Sequence, residues 1–270
     1  MKTKLREKDG ITIYRVLDEK HSAPYIIKQF SNPEDLREIE NYQLLNSLGI
    51  KTLKILEYGA DFIAMEDIEA NPTLRLATEA DLGNIEVSGA LGRWYKKFHD
   101  AGEAYLKLND IPMYSETDQI TIENLNMVKR KTNSESNPFW NCLQSKLEKV
   151  YARIASMGIT FSYNDFYYCN LVVDKSNSEA FMFDYNLMGM GSRVSDLSNV
   201  ICSLKGSAKD AFLEAYGDFS EDDFKFYSLL SPIIGLIFAS KREVMPEWAK
   251  DDLKSLKDGE LLKLVNSLIE

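Results

Sequence analysis

The chain has 270 residues, 44% of them hydrophobic and 27% charged, so it can bury one substantial core or two smaller ones and is neither a miniature scaffold nor a disordered chain. Its 42 acidic against 32 basic residues leave a formal charge of -10, a field that repels nucleic acid and anionic membranes and attracts cations. Three cysteines, Cys142, Cys169 and Cys202, are odd in number and lack CxxC spacing, which argues against a disulfide framework or a zinc knuckle and points to a reducing, cytoplasmic setting.

The first residues, MKTKLREKDG, carry positive charge but no apolar core follows them, so no signal peptide is expected. ITIYRVL and YIIKQF, joined by the turn DEKHSAP, predict a β-hairpin. SNPED then opens a helix that turns Ile39, Tyr42, Leu45 and Leu48 to one side until Gly49 stops it. LKILEY and FIAMEDI are two further strands, and Glu69 to Pro72 has the composition of a linker.

Beyond the linker the pattern turns helical. Leu91, Trp94, Tyr95, Phe98, Gly102 and Tyr105 form one stripe, with His99 as a packed, hydrogen-bonded residue at its end. A second helix is expected from about Pro138 to Met157, closed by Gly158. LVVD and AFMFD flank the turn KSNSE as a hairpin, and the rest is helical. Ser220 with Asp223 resembles a capping box opening the most apolar helix, whose stretch Phe226 to Phe238 falls short of the roughly 20 residues of a membrane span. The expected class is α+β: a small β-rich part over residues 1–68 and a larger helical part over residues 69–270, with the chemistry where they meet.

The segment FSYNDFYYCNLVVDKSNSEAFMFD, from Phe161 to Asp184, carries the most chemical information. Asp165 and Asn170 stand in a loop entering LVVD, and Asp184 ends the second run of the hairpin, so all three can meet at one edge. A phosphoryl-transfer site needs such a set: a carboxylate to orient an acceptor hydroxyl and take its proton, and hard oxygens for the magnesium that bridges the phosphates.

These residues resemble the aminoglycoside phosphotransferase and choline kinase family, relatives of the protein kinases, whose catalytic loop has His-Gly-Asp, four residues, then Asn, and whose second metal ligand is an Asp after a hydrophobic strand. The counterparts are Tyr163-Asn164-Asp165, Asn170 and Phe183-Asp184-Tyr185-Asn186. The resemblance implies a two-lobed protein-kinase-like fold, ATP and Mg2+, Asp165 as base, and Asn170 and Asp184 as metal ligands. It extends to Tyr25-Ile26-Ile27-Lys28, where Lys28 would bind the α and β phosphates, and to Glu40 as the helix Glu pairing with it, with Glu38 as a substitute. Phe62 to Met65, leading into Glu66-Asp67-Ile68, resembles the hinge that holds adenine by backbone groups, and Asp196-Leu197 the pair that braces the catalytic loop.

Three positions depart from the pattern. Tyr163 and Asn164 replace the usual His and Gly, Asn186 stands where many members have Glu, and the phosphate-covering loop near Glu7 to Thr12 holds one glycine, Gly10. The implied function is transfer of the γ-phosphate of ATP to a hydroxyl of a small molecule, an aminoglycoside-like acceptor preferred, with choline, ethanolamine or a sugar as the alternative. The rival of another class is a non-catalytic nucleotide-binding protein that kept the fold. Neither nucleic acid nor membrane is expected as a partner.

Overall fold

Charge does not keep the first residues out of the sheet. KTKLREK forms strand β1 (Lys2–Lys8), followed by β2 (Ile11–Val16) and β3 (Tyr25–Phe30). Periodicity gives no hint of β1 because every one of its residues is exposed, and its lysines suit an edge strand that must not pair further. Asp9 and Gly10, with φ of 51° and 82°, make the two-residue turn between β1 and β2 that a tight hairpin demands. The stretch expected as a phosphate-covering loop is therefore mostly strand, with Lys8 and Ile11 already paired.

After β3 come helix α1 (Arg37–Ser47), β4 (Ile55–Tyr58) and β5 (Phe62–Glu66), which complete a five-stranded antiparallel sheet in the order β1-β2-β3-β5-β4. Gly49 closes α1 with a φ of 66°. The expected linker is a 3-10 turn, Ile68–Ala70, leading into β6 (Leu74–Leu76) and then the long helix α2 (Ile85–Leu106).

The predicted helix from Pro138 to Met157 is two helices, because the chain breaks at Lys146. The next elements are α3 (Ile122–Lys131), α4 (Pro138–Ser145), α5 (Leu147–Ser156), β7 (Thr160–Ser162), β8 (Leu171–Asp174), β9 (Ala180–Met182) and β10 (Gly189–Gly191). The chain ends in α6 (Arg193–Ser203), α7 (Ala208–Tyr216), α8 (Glu221–Ser240), α9 (Lys250–Lys257) and α10 (Glu260–Leu268). Strands β6-β8-β9 form a three-stranded sheet, and β7 pairs with β10.

The computed structural model describes residues 1–269, which divide into two compact units. The first unit draws on Met1–Tyr105, Tyr163–Met188 and Asn199–Gly217, and so contains the five-stranded sheet, the three-stranded sheet and the pair α2 and α7. Gly92 allows that pair its close approach: a Cβ there would sit 2.4 Å from the Phe212 carbonyl oxygen. His99 is fully buried on α2, its Nδ1 2.9 Å from the Tyr216 hydroxyl, as its place on the apolar stripe predicts.

The second unit, Leu106–Ser162, Gly189–Ser198 and Asp218–Glu270, has a core of Phe139, Trp140, Leu143, Phe226, Leu230 and Ile237. Helix α8 reaches 20 residues and is apolar enough by length and composition to cross a membrane, but its apolar residues form this core. Ser220 caps it by accepting from the Asp223 N–H at 3.1 Å, while the Asp223 carboxylate turns to Arg153 at 2.5 Å instead of completing a capping box.

Two outcomes follow for stability. Gly92→Val should cost about 1–3 kcal/mol in urea denaturation, because the carbonyl it meets is backbone and cannot swing aside. Asp81, buried against a two-pronged contact from Arg75 at 2.7 and 2.8 Å and the Thr78 N–H at 2.7 Å, is held down at about 2 from an ordinary 3.8. A lowered carboxylate stabilises above its unfolded value and loses that contribution as pH falls toward its folded one. Asp81→Asn should therefore cost about 2 kcal/mol at pH 7, and the difference from wild type should shrink as pH drops below about 4.

Candidate active site

The loop between β7 and β8 places Asp165 and Asn170. Asn170 Nδ2 donates to Asp165 Oδ2 at 2.9 Å and to the Asp165 carbonyl at 3.2 Å, so the two side chains fix one another. The Phe183 N–H donates to the Asn170 carbonyl at 3.0 Å, just outside the β8–β9 ladder, and this sets Asp184 at the same edge. Burial, then the nearby charge of Asp184, pushes the Asp165 carboxyl up to about 6, against the pull of Asn170 and Lys28.

Asn164 and Asp184 both adopt left-handed backbone, with φ of 64° and 65°. That explains a glycine at the position of Asn164 in the resembling family, and why asparagine, which tolerates this region, can replace it. Asn164 Nδ2 also donates to the Leu187 carbonyl at 3.0 Å. The hydroxyl of buried Tyr163 donates to the carbonyl of Phe183, immediately before Asp184. The two departures from the family pattern thus make bonds of their own, from the loop to the segment after β9.

Lys28 stands on β3, the middle strand of the sheet, opposite Ile13 on one side and Ile63 on the other. Its Nζ lies 2.6 Å from Asp184 Oδ1 and 2.7 Å from Glu38 Oε2. Burial alone would lower the Lys28 pKa, but the two carboxylates outweigh it and hold the ammonium charged. Burial pushes the Glu38 carboxyl above its ordinary range, against the opposing pull of Lys28.

Glu40, the partner expected from the resemblance, is exposed and makes no contact with Lys28. Two residues along a helix rotate a side chain by about 200°, so Glu38 and Glu40 cannot share a face. The sequence did hold the signal: Glu38, Tyr42 and Leu45 stand at i, i+4 and i+7 on the buried stripe of α1, and Glu40 does not.

Lys28, Glu38 and Asp184 line a cleft of about 210 Å3 in the first unit together with Met65, Glu66, Asp67, Ile68 and Phe183. The Glu66 carboxylate is occupied by the Lys54 N–H at 2.7 Å and Asn71 Nδ2 at 2.6 Å. Buried Ile68 begins the 3-10 turn, where a backbone N–H has no partner within the turn itself.

The pairing of Asn41, Tyr42 and Tyr185 has no local signature in the sequence, although Tyr42 stands on the expected apolar side of α1 and Tyr185 in the segment with Asp184. Asn41 Nδ2 donates to the Tyr185 carbonyl at 2.8 Å, the Asp184 N–H donates to the Tyr42 hydroxyl at 3.3 Å, and the ring of Tyr185 meets those of Tyr42 and Tyr163 edge-on at 4.8 and 5.7 Å.

The donor set suits a magnesium ion. Asp184 gives one oxygen to Lys28, its second accepts from no protein donor among the described residues, and Asn170 Oδ1 meets only the weak Cys169 Sγ donor at 3.8 Å. Among the described residues no cluster of three His, Cys, Asp or Glu side chains could hold a metal without other ligands. Magnesium accepts one or two protein oxygens when phosphates and water complete its shell.

Comparison with known proteins agrees with this geometry. Residues 9–230 match the model of the phosphotransferase enzyme family, abbreviated APH. No curated protein matches the chain in sequence. The fold is that of an ethanolamine kinase from Plasmodium vivax, with a TM-score of 0.64 at 13% identity over 100% of this chain and 84% of the other. It is equally that of a choline kinase from Streptococcus pneumoniae, with a TM-score of 0.62 at 14% identity over 99% and 93%. A spectinomycin phosphotransferase, solved with ADP and spectinomycin, has a TM-score of 0.60 at 14% identity over 99% and 92%.

The two acidic positions of α1 give a direct test. Glu38→Ala leaves a buried ammonium with Asp184 alone and should cost about 3 kcal/mol in chemical denaturation. Glu40→Ala, at an exposed position, should stay within about 0.5 kcal/mol of wild type.

Proposed function

The chain belongs to the phosphotransferase enzyme family and is a small-molecule phosphotransferase, and from that premise we propose that it transfers the γ-phosphoryl group of magnesium-ATP directly to a hydroxyl of a cationic small molecule. The observation that carries this reading is the Lys28–Glu38–Asp184 cluster with the Asp165–Asn170 pair close enough that the Asp165 carboxyl feels the charges of Asp184 and Lys28.

Asp165 acts as the base that orients the acceptor hydroxyl and takes its proton, and a carboxyl raised to about 6 is closer to the operating pH than an ordinary aspartate. Asn170 and Asp184 hold Mg2+, which supplies charge neutralisation at the phosphates when bound. Lys28, braced by Glu38 and not by Glu40, holds the α and β phosphates. The backbone carbonyl of Glu66 and the N–H of Ile68 hold adenine. Residues 1–68 supply the nucleotide-binding strands, and residues 69–270 the catalytic loop and the acceptor-binding surface.

For the acceptor we keep an aminoglycoside-like polycation as the first reading, since a chain of net charge -10 attracts cations. A choline- or ethanolamine-like amino alcohol is the second, supported by the names of the structurally similar kinases. Both put a cation beside an acidic site. The non-catalytic reading rests on Tyr163 and Asn164, and their hydrogen bonds to the Phe183 and Leu187 carbonyls weaken it.

ADP release should be measured with magnesium-ATP across aminoglycosides, choline, ethanolamine and sugars. Acceptor-dependent release is expected in the wild type, falling about 100-fold or more in Asp165→Ala and vanishing when EDTA removes magnesium. Nucleotide binding without release for any acceptor would favour the non-catalytic protein.

A further inference from the structure

The cleft contains an ion cluster to which phosphoryl transfer assigns no task. Arg15, on β2, reaches the segment that follows β5: its Nε lies 2.5 Å from Asp67 Oδ2, and its Nη2 lies 3.2 Å from Asp67 Oδ1 and 2.6 Å from Glu69 Oε2. All three side chains line the cleft. The Asp67 side chain is 4% exposed, so without a partner its charge would be costly, and any ligand presenting a pair of donors would be strongly held there. Glu66 is already engaged by Lys54 and Asn71. Asp67 and Glu69 are therefore the two carboxylates that a base resting against this segment could meet.

Purines differ in the edge they would present. Adenine offers an amino donor beside a ring-nitrogen acceptor, which matches a backbone carbonyl and a backbone N–H. Guanine offers its ring N–H beside its amino group, an adjacent donor pair that a carboxylate accepts with both oxygens, as it accepts the fork of an arginine. A free Asp67 or Glu69 would be a receptor for guanine.

We propose that Arg15 selects the base: by occupying Asp67 and Glu69 it withholds both carboxylates from guanine and reserves the cleft for adenine nucleotides. The inference rests on the nucleotide-binding part of the function proposed above and adds its base specificity. It assigns Arg15 no part in catalysis. The arginine fork, with Nη2 bonded to both carboxylates and Nε close against Asp67, is a better competitor for them than a neutral base could be.

The test is calorimetric titration of the full chain with magnesium-ADP and magnesium-GDP, which needs no knowledge of the acceptor. Arg15→Gln keeps much of the side-chain stem and removes the charge. The wild type should bind ADP at least 10-fold more tightly than GDP, and Arg15→Gln should cut that preference 10-fold or more, chiefly through tighter GDP binding. Adding Asp67→Asn and Glu69→Gln to Arg15→Gln should remove the gained GDP affinity, which a merely structural role for Arg15 would not produce. Parallel weakening of both nucleotides, or an unchanged ratio, overturns the assignment and leaves the cluster as a clamp between β2 and the segment after β5. Failure of the folded wild type to bind either nucleotide would overturn the phosphotransferase reading itself, and this inference with it.

Discussion

The ammonium of Lys28 ties three otherwise separate pieces of the first unit together: the central strand of the five-stranded sheet, helix α1 and the residue after β9. A lysine this buried is unfavourable unless its charge is met at close range, and Glu38 and Asp184 meet it at 2.7 and 2.6 Å. Each partner needs the other two. Without Glu38 the ammonium leans on Asp184 alone; without Lys28 two carboxylates face one another in a poorly solvated cleft. The cluster therefore fixes the spacing between sheet, helix and Asp184, which the phosphates and the metal would require.

Asp184 is held from behind as well. Its left-handed backbone is an uncommon conformation for aspartate, maintained only where the surroundings impose it. Tyr163 bonds the carbonyl just before it, the Tyr42 hydroxyl meets its own N–H, and Asn41 bonds the carbonyl just after it. These residues come from the catalytic loop and from α1, so the loop and the helix are registered on one turn. Tyr163 occupies the place of a family histidine, and its hydroxyl reaches the Phe183 carbonyl. A larger residue in a loop motif need not mean a lost function when its polar end finds a backbone partner.

Much of the fold was legible because burial imposes periodicity. The stripe Leu91, Trp94, Tyr95 and Phe98 on α2 and the hairpin of LVVD and AFMFD follow directly from it. Strand β1 was not legible, since an exposed edge strand carries no apolar alternation, and the break between α4 and α5 at Lys146 interrupts a continuous helical pattern without a glycine or proline. At the site, Asp165, Asn170 and Asp184 could be singled out because chain connectivity sets their spacing. The partner of Lys28 is Glu38, the substitute the sequence offers beside Glu40, because motif alignment tolerates a two-residue shift and helix geometry does not. The Arg15–Asp67–Glu69 cluster joins residues more than fifty positions apart, and no local pattern announces such a pairing.

Charge balance at the centre of the site explains why the proposed chemistry needs cations. Asp165, Asp184 and Glu38 share a single nearby ammonium, and burial, then the charge of Asp184, raises the Asp165 pKa. A nucleotide polyphosphate entering such a cleft on its own would raise the excess of negative charge. A divalent cation, which Asn170 and Asp184 would hold on the proposed reading, would reverse that balance and leave Lys28 to be shared between Asp184 and the phosphates. On the proposed reading the same excess would favour an acceptor that brings positive charge toward Asp165. On the proposed reading, metal, nucleotide and cationic acceptor are thus electrostatically interdependent, with Lys28 as the fixed cation around which the other charges are arranged.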